Sequence, residues 1–240
     1  MSLYMLQLTL APRPLLAWAH QVRVPTQDTG YLIHAGLRAL FAEAAPQPFA
    51  VLGDAAGGMS GSVFTVLGYG PHPKDMLAAN AQILAEPLLH SALVGPILDK
   101  PMPLDWPTGR LFNFRTRVCP VRRRSTTPRR MVERDAFLAA CEQYPDRQHD
   151  RGETYSAWLG EQLERDQAAT LLDCRMTAFC LTPLRRKTRS SRSQRLGDRP
   201  DVRMEGTLRV NDPKAFGTLM ARGVGRHRAF GFGMLLLRPA

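Results

Sequence analysis

Apolar and polar residues alternate, or recur at helical spacing, along most of the chain, and these patterns predict the elements of its fold. Residues 2–10, SLYMLQLTL, are apolar and rich in β-forming side chains, which is typical of a first strand. Asp28 or Thr29 can cap a helix, and the sequence from Tyr31 to Ala44 supplies that helix. Its apolar positions predict one buried face, made of Ile33, Leu37, Leu40, Phe41 and Ala44.

Further strands and helices are expected in the rest of the first half. Residues 48–54 and 61–70 predict two strands joined by a glycine-rich connection, and residues 73–93 predict helical structure interrupted at Pro87. The order strand, helix, strand, strand, helix is that of a ferredoxin-like βαββαβ unit. We therefore expect the first half of the chain to form one such unit.

The second half repeats a similar order. The sequence predicts strands at 109–121, 171–184, 201–212 and 231–239, and helices at 133–144, 153–165 and 213–223. The fold class expected is α+β, with tandem ferredoxin-like (RRM-like) domains and a basic loop or hairpin insertion in the second. The proline-bearing segment 99–109 predicts the boundary, which gives an N-terminal domain at 1–102 and a C-terminal domain at 103–240.

The net charge of the chain indicates the class of partner that it binds. The chain has 32 Lys and Arg against 21 Asp and Glu, a net charge of +11. Such a surface attracts polyanions, so nucleic acid is the leading class of partner and an anionic membrane surface the weaker one. A long cationic amphipathic helix, which a membrane-surface protein needs, is not evident. A basic protein kept soluble by its charge remains the plain alternative.

Two basic segments carry much of that charge. Seven arginines fall within residues 115–130 and eight cations within 185–203, where interleaved Ser, Thr and Pro predict a loop or hairpin tip that orders on a polyanion. The alternative for both segments is a solvated loop. The candidate RNA contacts here are Arg115, Arg117, Arg122, Arg123, Arg124, Arg129, Arg130, Arg185, Arg186, Lys187, Arg189, Arg192 and Arg195.

Other compartments and cofactors find little support in the sequence. No stretch reaches the roughly 18 uninterrupted apolar residues of a membrane span, and the N-terminus lacks a basic leader and cleavage site. The four cysteines form no CxxC pair and are expected to be buried, reduced side chains. No Asp, Glu and His cluster has the spacing of a metal site. We expect a cytoplasmic protein with neither metal nor small-molecule cofactor.

The segment RGVGRHRAFGFGML at 222–235 is the most distinctive stretch of the chain. A dinucleotide-binding loop needs a strand before its glycines and a helix after them, but here the order is reversed. A P-loop is excluded because no GK[ST] follows. What remains is a glycine turn flanked by arginines that can bind phosphate, or merely a turn before the last strand. Its candidate RNA contacts are Arg222, Gly223, Gly225, Arg226, His227, Arg228, Gly231 and Gly233.

The C-terminal sequence MEGTLRVNDPKAFGTLMARGVGRHRAFGFGMLLLRP, at 204–239, resembles the end of the CRISPR-associated repeat-RNA-processing endoribonucleases. YLIHAGLRALF, at 31–41, resembles the first helix of the type I-E branch, where a Tyr-x-x-His stretch carries active-site residues. The resemblance implies tandem ferredoxin-like domains and metal-independent cleavage of precursor CRISPR RNA at a repeat stem-loop. It also implies that the enzyme stays bound to its product, together with other effector-complex subunits. Type I-E and type IV membership both stay open.

Three polar residues of the helix share one edge beside its apolar face. Tyr31, His34 and Arg38 stand at i, i+3 and i+7. RNA cleavage by the 2'-hydroxyl needs a base, an acid and a cation at the phosphate, and yields a 2',3'-cyclic phosphate and a 5'-hydroxyl. His34 can supply the base or the acid, Tyr31 can orient or donate, and Arg38 can hold the phosphate.

Two questions about this edge stay open in the sequence. Arg23, just before the helix, is a further candidate for the same pocket, and catalysis can depend on His34 or mainly on Arg23 and Arg38. An ordinary helical histidine is the structural alternative for His34. A noncatalytic RNA-binding subunit of a ribonucleoprotein is the alternative function.

Overall fold

The structure is a computed structural model that describes residues 2–52, 63–103, 105–127, 130–187 and 193–240. Within those ranges, the side chains of 125–127, 130–131, 185–187 and 193–196 are left undescribed. The chain divides into two compact units. The first comprises Met1–Leu104, Pro183–Gly197 and Arg228–Met234, and the second Asp105–Thr182, Asp198–His227 and Leu235–Ala240. The domain boundary expected at 102/103 stays a prediction.

The first unit is built on a four-stranded antiparallel sheet in the order β2-β3-β1-β4. With helices between the first and second and between the third and fourth strands, this is the ferredoxin-like arrangement. A short 3-10 turn, Ala42–Ala44, follows the second helix. The elements are β1 Tyr4–Leu10, α1 Pro12–Gln21, α2 Thr29–Phe41, β2 Phe49–Leu52, β3 Phe64–Gly70, α3 Lys74–Leu84, α4 Pro87–His90 and β4 Leu98–Pro101.

The core of the first unit lies between its sheet and α2. Leu6, Leu8 and Leu10 alternate along β1 and are fully buried, as the two-residue period of a strand requires. They belong to one apolar cluster with the inner face of α2. The predicted buried face is confirmed at Ile33, Leu37, Leu40 and Phe41, while Ala44 is buried in the 3-10 turn that follows the helix. Burying each large apolar side chain stabilises the fold by about 1.5–3 kcal/mol, so this face fixes how α2 lies on the sheet.

No helix was predicted between the first strand and Asp28, where the structure has α1 at Pro12–Gln21. Pro12 lies in the first turn, where its missing N–H costs no helical hydrogen bond. Leu15, Trp18 and Ala19 then form the buried face at helical spacing.

The second unit repeats the same topology. Its sheet has the order β10-β5-β9-β8, and a separate antiparallel hairpin, β6–β7, stands between β5 and the first helix. The fold class is therefore as expected: tandem ferredoxin-like βαββαβ units with a basic hairpin inserted in the second. The elements are β5 Leu111–Val118, β6 Val121–Thr127, β7 Arg130–Asp135, α5 Ala136–Gln143, α6 Arg151–Glu164, β8 Ala169–Lys187, β9 Ser193–Val210, α7 Pro213–Arg222 and β10 Leu236–Pro239.

Some expected boundaries and environments differ from the structure. The last strand begins at Leu236 and not at residue 231, because Gly231 and Gly233 have φ values of 80° and 79°, outside the β region. The proline-bearing segment 99–109, in which the domain boundary was predicted, contains part of β4, which pairs with β1. Of the cysteines expected to be buried, Cys180 is exposed on β8.

None of the helices described here is long and apolar enough to cross a membrane.

Candidate functional site

The start of α2 is fixed by a buried cap. Asp28 is 3% exposed, and its carboxylate accepts a hydrogen bond from the backbone N–H of Tyr31 at 2.9 Å. The capping carboxylate satisfies one of the N–H groups that the first helical turn leaves without a partner. Asp28 thus fixes the first turn of the helix that carries Tyr31 and His34.

A residue of the glycine-rich segment packs against that edge. Phe230 ends a 3-10 turn, Arg228–Phe230, that belongs to the first unit. Its ring stacks on Tyr31 with centroids 5.9 Å apart, and meets His34 edge to face at 5.4 Å. One aromatic side chain therefore contacts both of the polar residues that the sequence placed on one edge.

The backbone of the same turn comes equally close to the helix. A Cβ added to Gly30 would lie 2.3 Å from the carbonyl oxygen of Phe230. Only glycine allows this approach without a shift of one backbone against the other. Sequence reasoning named neither residue, and the available signal was an aromatic side chain inside a run of glycines.

Burial and charge set the protonation states along the edge. Partial burial, and then the charge of Arg38, lower the pKa of His34 below 6.5, so its imidazole is neutral at pH 7. Burial, and then the Asp28 carboxylate, raise the pKa of Tyr31, so its hydroxyl stays protonated. The edge thus carries a neutral imidazole, able to accept a proton, beside a protonated phenol.

The polar ends of Tyr31 and His34 reach solvent. Neither makes a side-chain hydrogen bond with a residue that the structure describes. Among the described residues, the fully buried polar side-chain atoms that lack a hydrogen bond are Thr116 Oγ1 and Arg199 Nε, so the polar atoms of Tyr31 and His34 are not fully buried. Although the Tyr31 side chain is mostly buried, its hydroxyl keeps contact with solvent. Packing holds the two side chains in place, while the hydroxyl and the imidazole make no hydrogen bond within the described part of the chain.

The two arginines expected at this edge, Arg38 and Arg23, differ in whether they have an ion-pair partner. Arg38 is partly exposed and forms a two-point pair with Glu43, with one Nη1 to Oε2 distance of 3.1 Å. Glu43 is almost fully exposed, so water screens this pair and a phosphate can compete for Arg38. Arg23 follows α1 with a φ of 58°, is exposed, and makes no side-chain hydrogen bond or ion pair among the described residues. No hydrogen bond links Arg23 to this edge.

In the second unit, a single carboxylate engages two residues of the glycine-rich segment. Glu133, on β7, accepts from the Nε of Arg226 and lies 2.9 Å from Nε2 of His227. The Nε of Arg199 is 3.7 Å away. Despite partial burial, which acts in the opposite direction, His227 and Arg226 hold the pKa of Glu133 to about 2. Sequence reasoning did not single out Glu133, since one acid in a basic hairpin gives no spacing signal.

Two glycines of this segment are explained by contacts within the protein. Gly223 ends α7 with a φ of 76°, and its N–H donates to the carbonyl of Leu219 at 2.7 Å. A Cβ added to Gly225 would lie 2.7 Å from the ring of Trp158. Gly223 and Gly225 were predicted as RNA contacts; at Gly225 the space that a side chain would take is filled by the indole of Trp158.

Many of the arginines expected to bind RNA are paired with acids. Arg117 makes two hydrogen bonds to Asp201, at 2.8 and 2.5 Å, and Asp201 is 8% exposed. This pair is therefore part of the sheet of the second unit. Besides Arg226 with Glu133, three further pairs of the described candidates have an exposed arginine: Arg115 with Glu205 at 3.2 Å, Arg122 with Glu161 at 2.6 Å and Arg222 with Asp166 at 3.6 Å.

Two neighbouring arginines of β6 stand apart from these pairs. Arg123 and Arg124 are exposed and have no ion-pair partner among the residues with described side chains. Arg228 lies in the 3-10 turn beside Phe230. The side chains of the other candidates are outside the described part of the chain: Arg129, Arg130, Arg185, Arg186, Lys187, Arg189, Arg192 and Arg195.

Within the described ranges, no three His, Cys, Asp or Glu side chains come close enough together to hold a metal ion.

Comparison with known proteins gives one family and several structural neighbours. A family model described as CRISPR associated protein matches residues 3–239. The chain resembles a structure of the CRISPR endoribonuclease Cse3 bound to a 19-nucleotide RNA, with 21% identity, 100% of both chains covered and a TM-score of 0.66. It also resembles Thermus thermophilus Cse3 bound to an RNA representing a pre-cleavage complex, with 18% identity, 100% of both chains covered and a TM-score of 0.64.

A third structural neighbour is Cas6e from Escherichia coli str. K-12, with 20% identity, 99% of this chain and 100% of that one covered, and a TM-score of 0.55. At these identities the likeness shows a shared fold. No curated protein matches the chain.

Proposed function

Since this chain belongs to the family of CRISPR-associated proteins, we propose that it is a metal-independent endoribonuclease that cleaves precursor CRISPR RNA at the repeat stem-loop. It then stays bound to the mature guide RNA as a subunit of an effector complex. The observation that carries this proposal is the edge of α2, where a neutral imidazole and a protonated phenol both reach solvent.

The proposed reaction is attack by a ribose 2'-hydroxyl on the adjacent phosphorus. His34, which is neutral at pH 7, takes the proton of the 2'-hydroxyl as the 2'-oxygen forms its bond to phosphorus. The bond from phosphorus to the 5'-oxygen breaks, and Tyr31 donates to that leaving oxygen. The products are a 2',3'-cyclic phosphate and a 5'-hydroxyl.

Arg38 has the electrostatic part in this proposal. Its guanidinium leaves Glu43 when RNA binds, and donates to the phosphate oxygens on which negative charge develops. The exchange is favourable because the pair with Glu43 is screened by water. Arg23 has no internal partner among the described residues and is available to the RNA strand that leads to the cut.

Binding in this proposal is dominated by phosphate contacts. Arg123 and Arg124 are the described cations best placed to supply them, since they are exposed and have no ion-pair partner among the residues with described side chains. If about six cations engage phosphates, the logarithm of affinity falls with the logarithm of salt with a slope of roughly minus four. The stem is recognised through its backbone and shape, because side chains cannot read a narrow A-form major groove.

The test is cleavage of a labelled precursor transcribed from the repeat array of the same genome, with EDTA in the buffer. We expect one cut per repeat and a 2',3'-cyclic phosphate end, and no cut when the nucleotide before the cut is 2'-deoxy. Binding without cutting would support the alternative, a noncatalytic RNA-binding subunit. Absence of both binding and cutting would refute the proposal.

A further inference from the structure

Glu133 is an acid in the middle of a cationic region of the second unit. Arg226 and His227 contact it directly, and Arg199 lies 3.7 Å away. A carboxylate repels RNA, so its presence beside candidate phosphate-binding residues needs a reason. Two are conceivable: it masks the cations, or it holds them in place.

The geometry at Arg226 separates these two roles. Glu133 accepts from Nε only, and neither terminal nitrogen of this arginine has a partner among the residues that the structure describes. The side chain is 42% exposed. Arg226 is thus held at one atom of its guanidinium while the donors that make bidentate contacts with phosphate remain open. A masking carboxylate would occupy those terminal donors instead, as Glu43 does at Arg38.

The second oxygen of Glu133 contacts the side chain of the next residue of the same loop. It lies 2.9 Å from Nε2 of His227, whose side chain is 8% exposed and whose φ of 59° is left-handed. Residues with a side chain are uncommon in this conformation, although histidine adopts it more readily than most, and the contact with Glu133 helps to hold it. The two oxygens therefore fix two consecutive residues of the glycine-rich segment.

We propose that Glu133 is a positioning residue for RNA binding, which orients the guanidinium of Arg226 toward a phosphate and fixes the backbone at His227. This inference rests on the proposed function, because it takes RNA as the ligand. It adds a residue that itself does not contact the RNA and whose charge opposes binding.

The direction in which RNA affinity changes in Glu133 variants tests this proposal. Replacing Glu133 by Ala or Gln removes a negative charge, so electrostatics alone gives tighter binding of the labelled repeat stem-loop. Positioning gives weaker binding by about tenfold, the worth of one hydrogen bond to a charged group. It also gives a salt slope smaller by about 0.7, which corresponds to one phosphate contact.

Glu161→Gln is the matched control. Glu161 also pairs with an arginine of the basic hairpin, Arg122, at 2.6 Å, but both side chains are about half exposed. The same charge change should leave RNA affinity unchanged or raise it. Arg226→Lys keeps the charge but cannot be held at one nitrogen while offering others, so it should weaken binding as Glu133→Ala does.

A measurement without RNA separates this inference from the proposed function. In the free protein, the Nε–H signal of Arg226 in the nitrogen-15 spectrum should exchange slowly with water, and should exchange fast in Glu133→Ala. Circular dichroism checks that each variant folds, and Glu133→Gln serves if Glu133→Ala does not. If the wild type binds RNA and the Glu133 variants bind equally or more tightly, or if the Arg226 signal is unchanged, the inference is wrong. A wild type that binds no RNA overturns the proposed function, and this inference with it.

Discussion

The contact between Gly30 and the Arg228–Phe230 turn gives a prediction opposite in sign to the usual effect of its substitution. In Gly30→Ala the new methyl carbon would lie 2.3 Å from the carbonyl oxygen of Phe230 and 3.0 Å from its carbonyl carbon. Carbon and oxygen atoms that touch normally lie about 3.3–3.6 Å apart. The two backbones must therefore separate by about 1 Å, because neither can rotate away as a side chain can.

The magnitude follows from two opposing effects. Replacing glycine by alanine within a helix stabilises it by up to about 1 kcal/mol. Forcing an extra carbon into a closely packed site costs about 1–3 kcal/mol. The clash dominates, so we expect a net loss of up to about 2 kcal/mol in the free energy of unfolding. Because Phe230 contacts both Tyr31 and His34, a shift of about 1 Å should also slow cleavage by roughly 100-fold.

Urea unfolding and single-turnover cleavage measure these two effects. Gly36→Ala is the control on the same helix, since its new carbon would meet only the ends of flexible side chains, Leu15 at 3.0 Å and Leu89 at 3.9 Å. We expect Gly36→Ala to be close to the wild type in both assays. The reasoning is refuted if Gly30→Ala is as stable as Gly36→Ala and cuts at the wild-type rate.

The other predictions concern the cap and three charged or titrating groups. Asp28→Ala should lower the free energy of unfolding by about 1 kcal/mol, seen as a lower melting temperature, and an unchanged one would contradict its capping role. Arg38→Gln should raise the pKa of His34 toward 6.5 without reaching it, since burial is the larger cause; a titration by NMR that shows no rise contradicts this. Because the base must be neutral and its pKa is lowered, the midpoint of the pH–rate profile should lie below 6.5, with the rate falling as pH falls, whereas a midpoint above 7 would exclude His34 as the base. The pKa of Glu133 is about 2 in the folded protein and near 4.5 in the unfolded chain, so its stabilising effect is complete above pH 4.5 and lost as pH falls toward 2. The difference in unfolding free energy between the wild type and Glu133→Gln should therefore shrink over that range. A difference that stays constant with pH would refute the coupling.

Periodicity was sufficient to predict most of the fold. The face of α2 has a strict helical repeat of large apolar residues, and the strands have clear alternation, so local pattern and tertiary burial agree. The helix α1 was missed because Pro12 and Pro14 suggest a connector, although proline is well tolerated in a first turn. The last strand was placed too early because left-handed glycines at 231 and 233 are indistinguishable in sequence from strand glycines.

Only part of the candidate site could be predicted from the sequence. Helical spacing alone placed Tyr31 and His34 on one edge, because that relation is local. The contacts of Phe230 in the first unit, and separately those of Glu133 in the second, join residues more than 90 positions apart in the chain, which no local pattern encodes. Charge counting likewise could not separate Arg117, which is held by a buried carboxylate, from the exposed Arg123.

The central claim is that the edge of α2 cuts RNA, and single-turnover cleavage by His34→Ala tests it most directly. The binding of the same labelled repeat RNA is measured in parallel. Loss of a general base costs on the order of 100-fold to 10,000-fold in rate, while the cations that hold the RNA are untouched. We expect wild-type affinity with cleavage slower by at least about 100-fold. A His34→Ala variant that cuts at the wild-type rate would contradict the account.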